Sequence, residues 1–217
     1  AKASSKIEGE QMEIDSYIKH KMLNIEYLQG LVEKPNDLYN AYLFAQRNEL
    51  NEKNFLEAHK ILAAHLLPSH KRGVCRTNNM VVMEHKTFRI QYEAALWSEV
   101  KPLFAKLWKD IEHLKKEKLS TEETFFFASF IHIFFVNIHR FEDGNGRAGR
   151  LLEKWFLAQI LGEKAWFVQS EKMYYQQHQT YYKNIRLLGL EYPELDYSKA
   201  LPFLLMLPSA LVGEITD

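Results

Sequence analysis

The sequence predicts a mainly α protein carrying one small β-hairpin, on three observations. Long stretches repeat apolar residues at helical spacing. One of them, from Phe125 to Phe135, is apolar on every side, as a centrally buried helix must be. The segment 73–83 alternates short apolar runs about Asn78 and Asn79, which in a helical chain reads as two strands and a turn.

Taken in chain order, helical periodicity or composition covers 36–49, 54–67, 92–118, 121–138, 145–161, 171–188 and 197–207. Asn54 with Glu57, and Ser120 with Glu123, have the spacing of capping boxes, in which each side chain satisfies the other's orphan N–H. The hairpin falls between the second and third helices. The buried helix 121–138 delivers His139 to a pocket rim. No repeat, heptad or long Gly/Ser/Pro linker divides the rest, so 51–217 reads as one compact unit with 1–50 as an N-terminal helical extension.

Composition narrows the function. At 217 residues and 47% hydrophobic content the chain can bury a sizeable core. Lys+Arg and Asp+Glu both number 28, and this balance gives no ground for a nucleic acid or a membrane as partner. No DNA-binding helix-turn-helix follows residue 190, and the basic run from His70 to Arg76 reads as a local solvated turn. Cys75 is alone, so it forms no internal disulfide, and nothing at readable spacing activates it as a nucleophile. Residues 1–6 are polar and lack the apolar stretch of a secretory signal. The apolar runs 125–138 and 201–212 fall short of the roughly 20 residues needed to cross a bilayer. A soluble, cytoplasmic protein is expected.

The twelve residues from His139 to Arg150 concentrate the chemistry. Gly144, Asn145 and Gly146 stand between the buried helix and the next helical pattern, where their N–H groups can curl around an anion at a helix N-terminus. Arg147 and Arg150 are three apart, so both guanidinium groups can fork onto oxygens of a polyphosphate from one helix face. Asp143 is the natural Mg²⁺ ligand beside those phosphates. His139 can take a proton near neutral pH and is the candidate general base, while Phe141 faces the core and pins the loop.

These residues resemble the signature of the Fic proteins, His-x-Phe-x-(Asp/Glu)-Gly-Asn-(Gly/Lys)-Arg-x-x-Arg, matched at His139, Phe141, Asp143, Gly144, Asn145, Gly146, Arg147 and Arg150. Arg140 departs from the proline that many members carry there. The resemblance implies a Fic-type helical domain that transfers AMP from ATP, with Mg²⁺ or Mn²⁺, to a Ser, Thr or Tyr hydroxyl of a protein. In that role His139 is the base, Asp143 holds the metal, residues 144–146 cradle phosphates, and Arg147 and Arg150 meet the β- and γ-phosphates. Tyr181 and Tyr182 match a tyrosine pair the family places near the nucleotide. The protein target can include the chain itself, and a homo-oligomer is compatible.

The resemblance extends to two further segments. Ser4-Ser5-Lys6-Ile7-Glu8-Gly9 fits the family's inhibitory pattern (Ser/Thr)-x-x-x-Glu-(Gly/Asn), which implies an N-terminal helix whose Glu8 pairs with Arg150 in the place of the γ-phosphate, with Ser4 and Gly9 completing the motif. The hairpin segment resembles the Fic flap, which adds a target peptide as an extra strand, so Arg76, Thr77, Val81 and Val82 are implied target contacts. The same scaffold also suits relatives that transfer other phosphate-containing groups or remove AMP. A nucleotide-binding switch without turnover is the alternative from another class. His59, His65, His113 and His132 have no ligand spacing and read as packing or surface, as do Trp155 and Trp166.

Overall fold

The computed structural model describes residues 2–8, 32–83 and 90–212. Ten helices are labelled here in chain order among those residues: α1 Lys2–Ile7, α2 Glu33–Arg47, α3 Glu52–Leu62, α4 Trp97–Leu114, α5 Thr121–Ile138, α6 Asn145–Leu161, α7 Ser170–Gln176, α8 His178–Arg186, α9 Leu201–Leu204 and α10 Met206–Val212. Strands β1 Val81–Met83 and β2 Ile90–Glu93 form one antiparallel pair with Val82 opposite Tyr92. The class is the expected one, mainly helical with a small two-stranded sheet.

The central helix α5 separates two apolar clusters. Phe125, Ala128, Ile131, Phe135 and Ile138 face a large cluster that takes Leu38 and Ala41 from α2, Phe55 from α3, Trp108 from α4 and Trp155 from α6. Ile133 faces a second cluster with Tyr174, Tyr181, Phe203 and Ile7 of α1. A helix buried on two sides has no polar face to spare, which is why its sequence lacks an amphipathic stripe. Its start is the capping box read from the sequence: Glu123 N–H donates to Ser120 Oγ at 3.1 Å and Ser120 N–H to Glu123 Oε2 at 2.8 Å.

Several boundaries differ from the sequence pattern. Helix α3 is capped by Asn51, whose side chain accepts from Asn54 N–H at 2.9 Å, so Asn54 lies inside the helix and forms no capping box with Glu57. Tyr92 belongs to β2, and α4 begins only at Trp97, whose N–H donates to Asn79 Oδ1 at 3.1 Å. Residues 171–188 make two helices because Gln177, at φ −104° and ψ 33°, leaves helical geometry. Residues 197–207 break into a short 3-10 turn, α9 and α10. The hairpin also sits later than 73–83. Asn78 and Asn79 precede β1, and residues 84–89, between the two strands, lie outside the described residues.

Candidate active site

The site lies where α5 ends and α6 begins. Helix α5 stops at His139, which takes a left-handed conformation, φ 55° and ψ 59°. For a residue with a Cβ this costs about 1–2 kcal/mol, so the surroundings must hold it there. The His139 side chain is half-buried. His139 Nδ1 lies 3.2 Å from the carbonyl of Val136. A carbonyl only accepts, so Nδ1 carries the proton and Nε2 is left as the free base. Burial lowers the imidazole pKa below its ordinary value against the raising effect of the Val136 carbonyl; Arg76 adds to the lowering, while Glu8 and Asp143 oppose it.

Residues 141–145 are a clamped loop. Asn145 Oδ1 accepts from Phe141 N–H at 2.9 Å, and its Nδ2 donates to Phe141 O at 2.8 Å. Phe141 is fully buried and stacks on the His59 ring at 3.5 Å. His59 Nδ1 accepts from Gly73 N–H at 2.9 Å, which leaves Nε2 as the donor to Asp143 O at 3.0 Å. Burial is the main cause pulling His59 down to about 4, so it sits there neutral. Arg140 lies over the Phe104 ring at 3.8 Å, so the residue in the position of the family's proline is packed as a cation on an aromatic face.

Gly144 is the N-cap of α6 at φ 83°, a conformation that favours glycine. The first N–H groups of α6 open toward the loop, and the helix dipole favours an anion there. Asp143 is exposed, with Oδ1 accepting from Gly144 N–H at 2.5 Å. Among the described residues no group of three or more His, Cys, Asp or Glu side chains could hold a metal. A lone exposed carboxylate beside a helix N-terminus fits Mg²⁺ only where most of its ligands come from a bound anion and water.

Arg150 is fully buried one turn along α6. Its Nη2 donates to Glu8 Oε1 at 2.7 Å and to Ser4 O at 3.1 Å, and its Nε to Ser4 Oγ at 2.7 Å. Burial of Glu8 favours the neutral acid, yet the charge and hydrogen bond of Arg150, with Arg147 and His139 beyond, outweigh it and hold the carboxyl below its ordinary range. Gly146 leaves the room for this approach, since a Cβ there would stand 2.6 Å from Glu8 Oε1. Arg147 is buried in the same turn. Helix α1 is docked by Ile7, which is buried, and by His178 Nε2, 3.2 Å from Ile7 O. Gly9 lies outside the described residues.

On the far side of Arg150, the Tyr181 hydroxyl is 3.5 Å from Nη1 and 3.0 Å from His132 Nε2. His132 Nδ1 is 2.6 Å from Glu153 Oε2, which also accepts from Tyr174 OH at 2.7 Å. Tyr182 packs edge-on against Tyr181 at 5.1 Å. The structure thus brings His139, residues 143–150, Glu8, Ser4 and Tyr181 into one region. Of the four flap residues, Val81 and Val82 lie on β1 and Thr77 is exposed ahead of it. Arg76 is buried beneath the hairpin, its guanidinium turned to main-chain carbonyls rather than outward. His59, His132 and Glu153 carry no motif spacing. Their partners stand 14, 49 and 21 residues away, beyond any local pattern.

A model of the Fic/DOC family matches residues 49–157, from before α3 through most of α6. No curated protein matches the chain. Among solved structures, a Fic family protein from Desulfovibrio desulfuricans G20 aligns with a TM-score of 0.75 and 17% identity over 100% of this chain and 64% of its own. The chain therefore spans less than two thirds of that protein. A Fic domain containing signaling protein from Bacteroides thetaiotaomicron aligns with a TM-score of 0.71 and 20% identity, covering 98% of this chain and 81% of that one. BepC from Bartonella tribocorum, solved with bound AMPPNP, aligns at 0.55 and 15%, covering 82% and 83%. At these identities the likeness is one of fold.

Proposed function

The chain belongs to the Fic/DOC family, and on that premise we propose that it is a protein AMP-transferase held off by its own N-terminal helix. The observation that carries this reading is the pairing at Arg150: a buried guanidinium beside a glycine-capped helix start, taken at 2.7 Å by the carboxylate of Glu8, the residue that follows α1. A carboxylate on a forked arginine has the charge and shape of a phosphate edge. While Glu8 stands there, the terminal phosphate of ATP cannot.

With Glu8 withdrawn, Arg150 and the α6 N-terminus bind the triphosphate and stabilise the charge that builds on the leaving group. Asp143 would hold Mg²⁺, which when bound would supply further neutralisation of the phosphates. The target hydroxyl oxygen attacks the α-phosphorus, the bond to the bridging oxygen breaks, and pyrophosphate leaves with that electron pair. The hydroxyl proton passes to His139 Nε2, whose tautomer is already set by the Val136 carbonyl. AMPPNP in BepC supports a nucleotide triphosphate as ligand for this fold. Strand β1, with Val81 exposed and Val82 half-buried, offers an edge for an extended target segment.

The test is to incubate the Glu8→Gly chain with target protein, Mg²⁺ and ATP carrying ³²P at either the α or the γ position. AMP transfer labels protein from the α position alone. Label from the γ position would overturn the reading in favour of phosphoryl transfer, and label from neither in favour of another donor, AMP removal or a binding switch.

A further inference from the structure

Resting on the proposed reading of this site, we propose that Arg76 is a positioning residue for His139: its buried guanidinium holds the base's left-handed backbone and fastens it to both feet of the hairpin. Arg76 Nε donates to His139 O at 2.6 Å. Its Nη1 donates to Asn78 O at 2.5 Å, and its Nη2 to Ala95 O at 2.5 Å and Ile138 O at 3.4 Å. The Arg76 N–H donates to Arg140 O at 3.0 Å. The carbonyls of three consecutive residues, 138 to 140, therefore converge on one residue. They are the residues where α5 ends and turns left-handed.

The other two carbonyls mark the hairpin. Asn78 stands shortly before β1 and Ala95 shortly after β2. A planar fork can reach all of these acceptors at fixed angles, whereas an ammonium is a single point on a flexible stem. The strand that is to align a target and the base that is to deprotonate it are thereby joined through one side chain. Movement of the hairpin is passed to His139, and the αL conformation is retained because the carbonyls of residues 138 to 140 would lose their shared donor if it relaxed.

The test uses the full chain with Glu8→Gly, carrying Arg76→Ala or Arg76→Lys. Arg76→Ala is expected to lower kcat by about 100-fold, the scale of loss when a reacting group shifts by an ångström, with KM for ATP little changed. Millimolar guanidinium, refilling the cavity, should restore much of kcat where sodium chloride does not, and Arg76→Lys should fall between. A second readout needs no reaction: the ¹⁵N resonances of the His139 ring should titrate at higher pH in Arg76→Ala, since a neighbouring positive charge is gone, and return toward the parent with guanidinium. Parental kcat and parental His139 titration in Arg76→Ala would overturn the proposal. So would a loss that guanidinium leaves unrepaired in a variant that melts as the parent does. If the Glu8→Gly chain transfers no AMP, the reading of function fails and the His139 resonances alone decide on Arg76. If Arg76→Ala does not fold, Arg76→Lys carries both readouts, and parental values there overturn the proposal.

Discussion

Arg150 is a cation without access to water, so the groups around it decide what the site can hold. Ser4 of α1, Glu8 just after it and Tyr181 of α8 meet it. Removing Glu8 leaves that charge in need of an anion, and a charged hydrogen bond of this kind is worth about 1.5–3 kcal/mol. ATP should therefore bind Glu8→Gly at least about tenfold more tightly than the parent, by calorimetry; equal affinity would mean that Glu8 does not obstruct the nucleotide. The pH dependence follows from two lowered pKa values. Glu8 is held below its ordinary range, so the latch contact is fully present above the ordinary carboxylate pKa and is lost only as pH falls through the depressed one. His139 is competent as a base when neutral, above a pKa that burial has pulled below the ordinary imidazole value. In Glu8→Gly a carboxylate that raises it is gone. The rate should stay flat through about pH 6.5, where a free imidazole is half-protonated, and decline only at lower pH. A midpoint at or above the free value, in a pH–rate profile, would contradict the base assignment.

At the scale of elements, α5 and α6 run over 121–138 and 145–161 as the sequence pattern has them, because their ends are local chemistry: a capping box at Ser120, a left-handed Gly144, and Gly162 at φ 87°. The glycine turn that starts α6 was legible for the same reason. Where boundaries slipped, the deciding contact was distant. Tyr92 enters β2 and sends its hydroxyl to Asn137 O at 2.7 Å, and no Gly or Pro marks the break at Gln177. Arg76 carries no local sign that its guanidinium turns inward toward residues 138 and 139, over sixty positions away. One buried pair ties the helices behind the site together: Lys154 of α6 meets Glu171 of α7, which also accepts from Tyr42 OH of α2 at 2.5 Å. Burial pushes the Glu171 carboxyl up, but Lys154 and Tyr42 overcome it and bring it down to about 2. Glu171→Gln should cost about 3–5 kcal/mol in denaturant unfolding, as expected when a buried pair loses one partner. The sign with pH is fixed: this stability is present above the ordinary carboxylate pKa and declines as pH falls toward about 2. A cost under 1 kcal/mol, on the scale of a surface pair, would contradict the burial of this bridge.

For the molecule as a whole, the proposed inhibition would rest on the docking of one short helix. Among the described residues no helix is long and apolar enough to cross a membrane. Helix α1 is too short to be stable alone, so its position rests on Ile7 in the second apolar cluster and on the Arg150 contacts. Ile7→Ala leaves every charged group of the site in place, yet it removes buried apolar surface worth about 2 kcal/mol or more. It should raise AMP transfer at least tenfold over the parent while leaving the rate of Glu8→Gly unchanged; no rise would place the hold on α1 elsewhere. The measurement that tests the account most directly is the rate of label transfer from α-³²P-ATP in three chains: the parent, Glu8→Gly, and Glu8→Gly with His139→Ala. A low rate, a high rate and none are expected in turn. Equal rates in the first two would contradict the latch, and transfer persisting in the third would contradict His139 as the base.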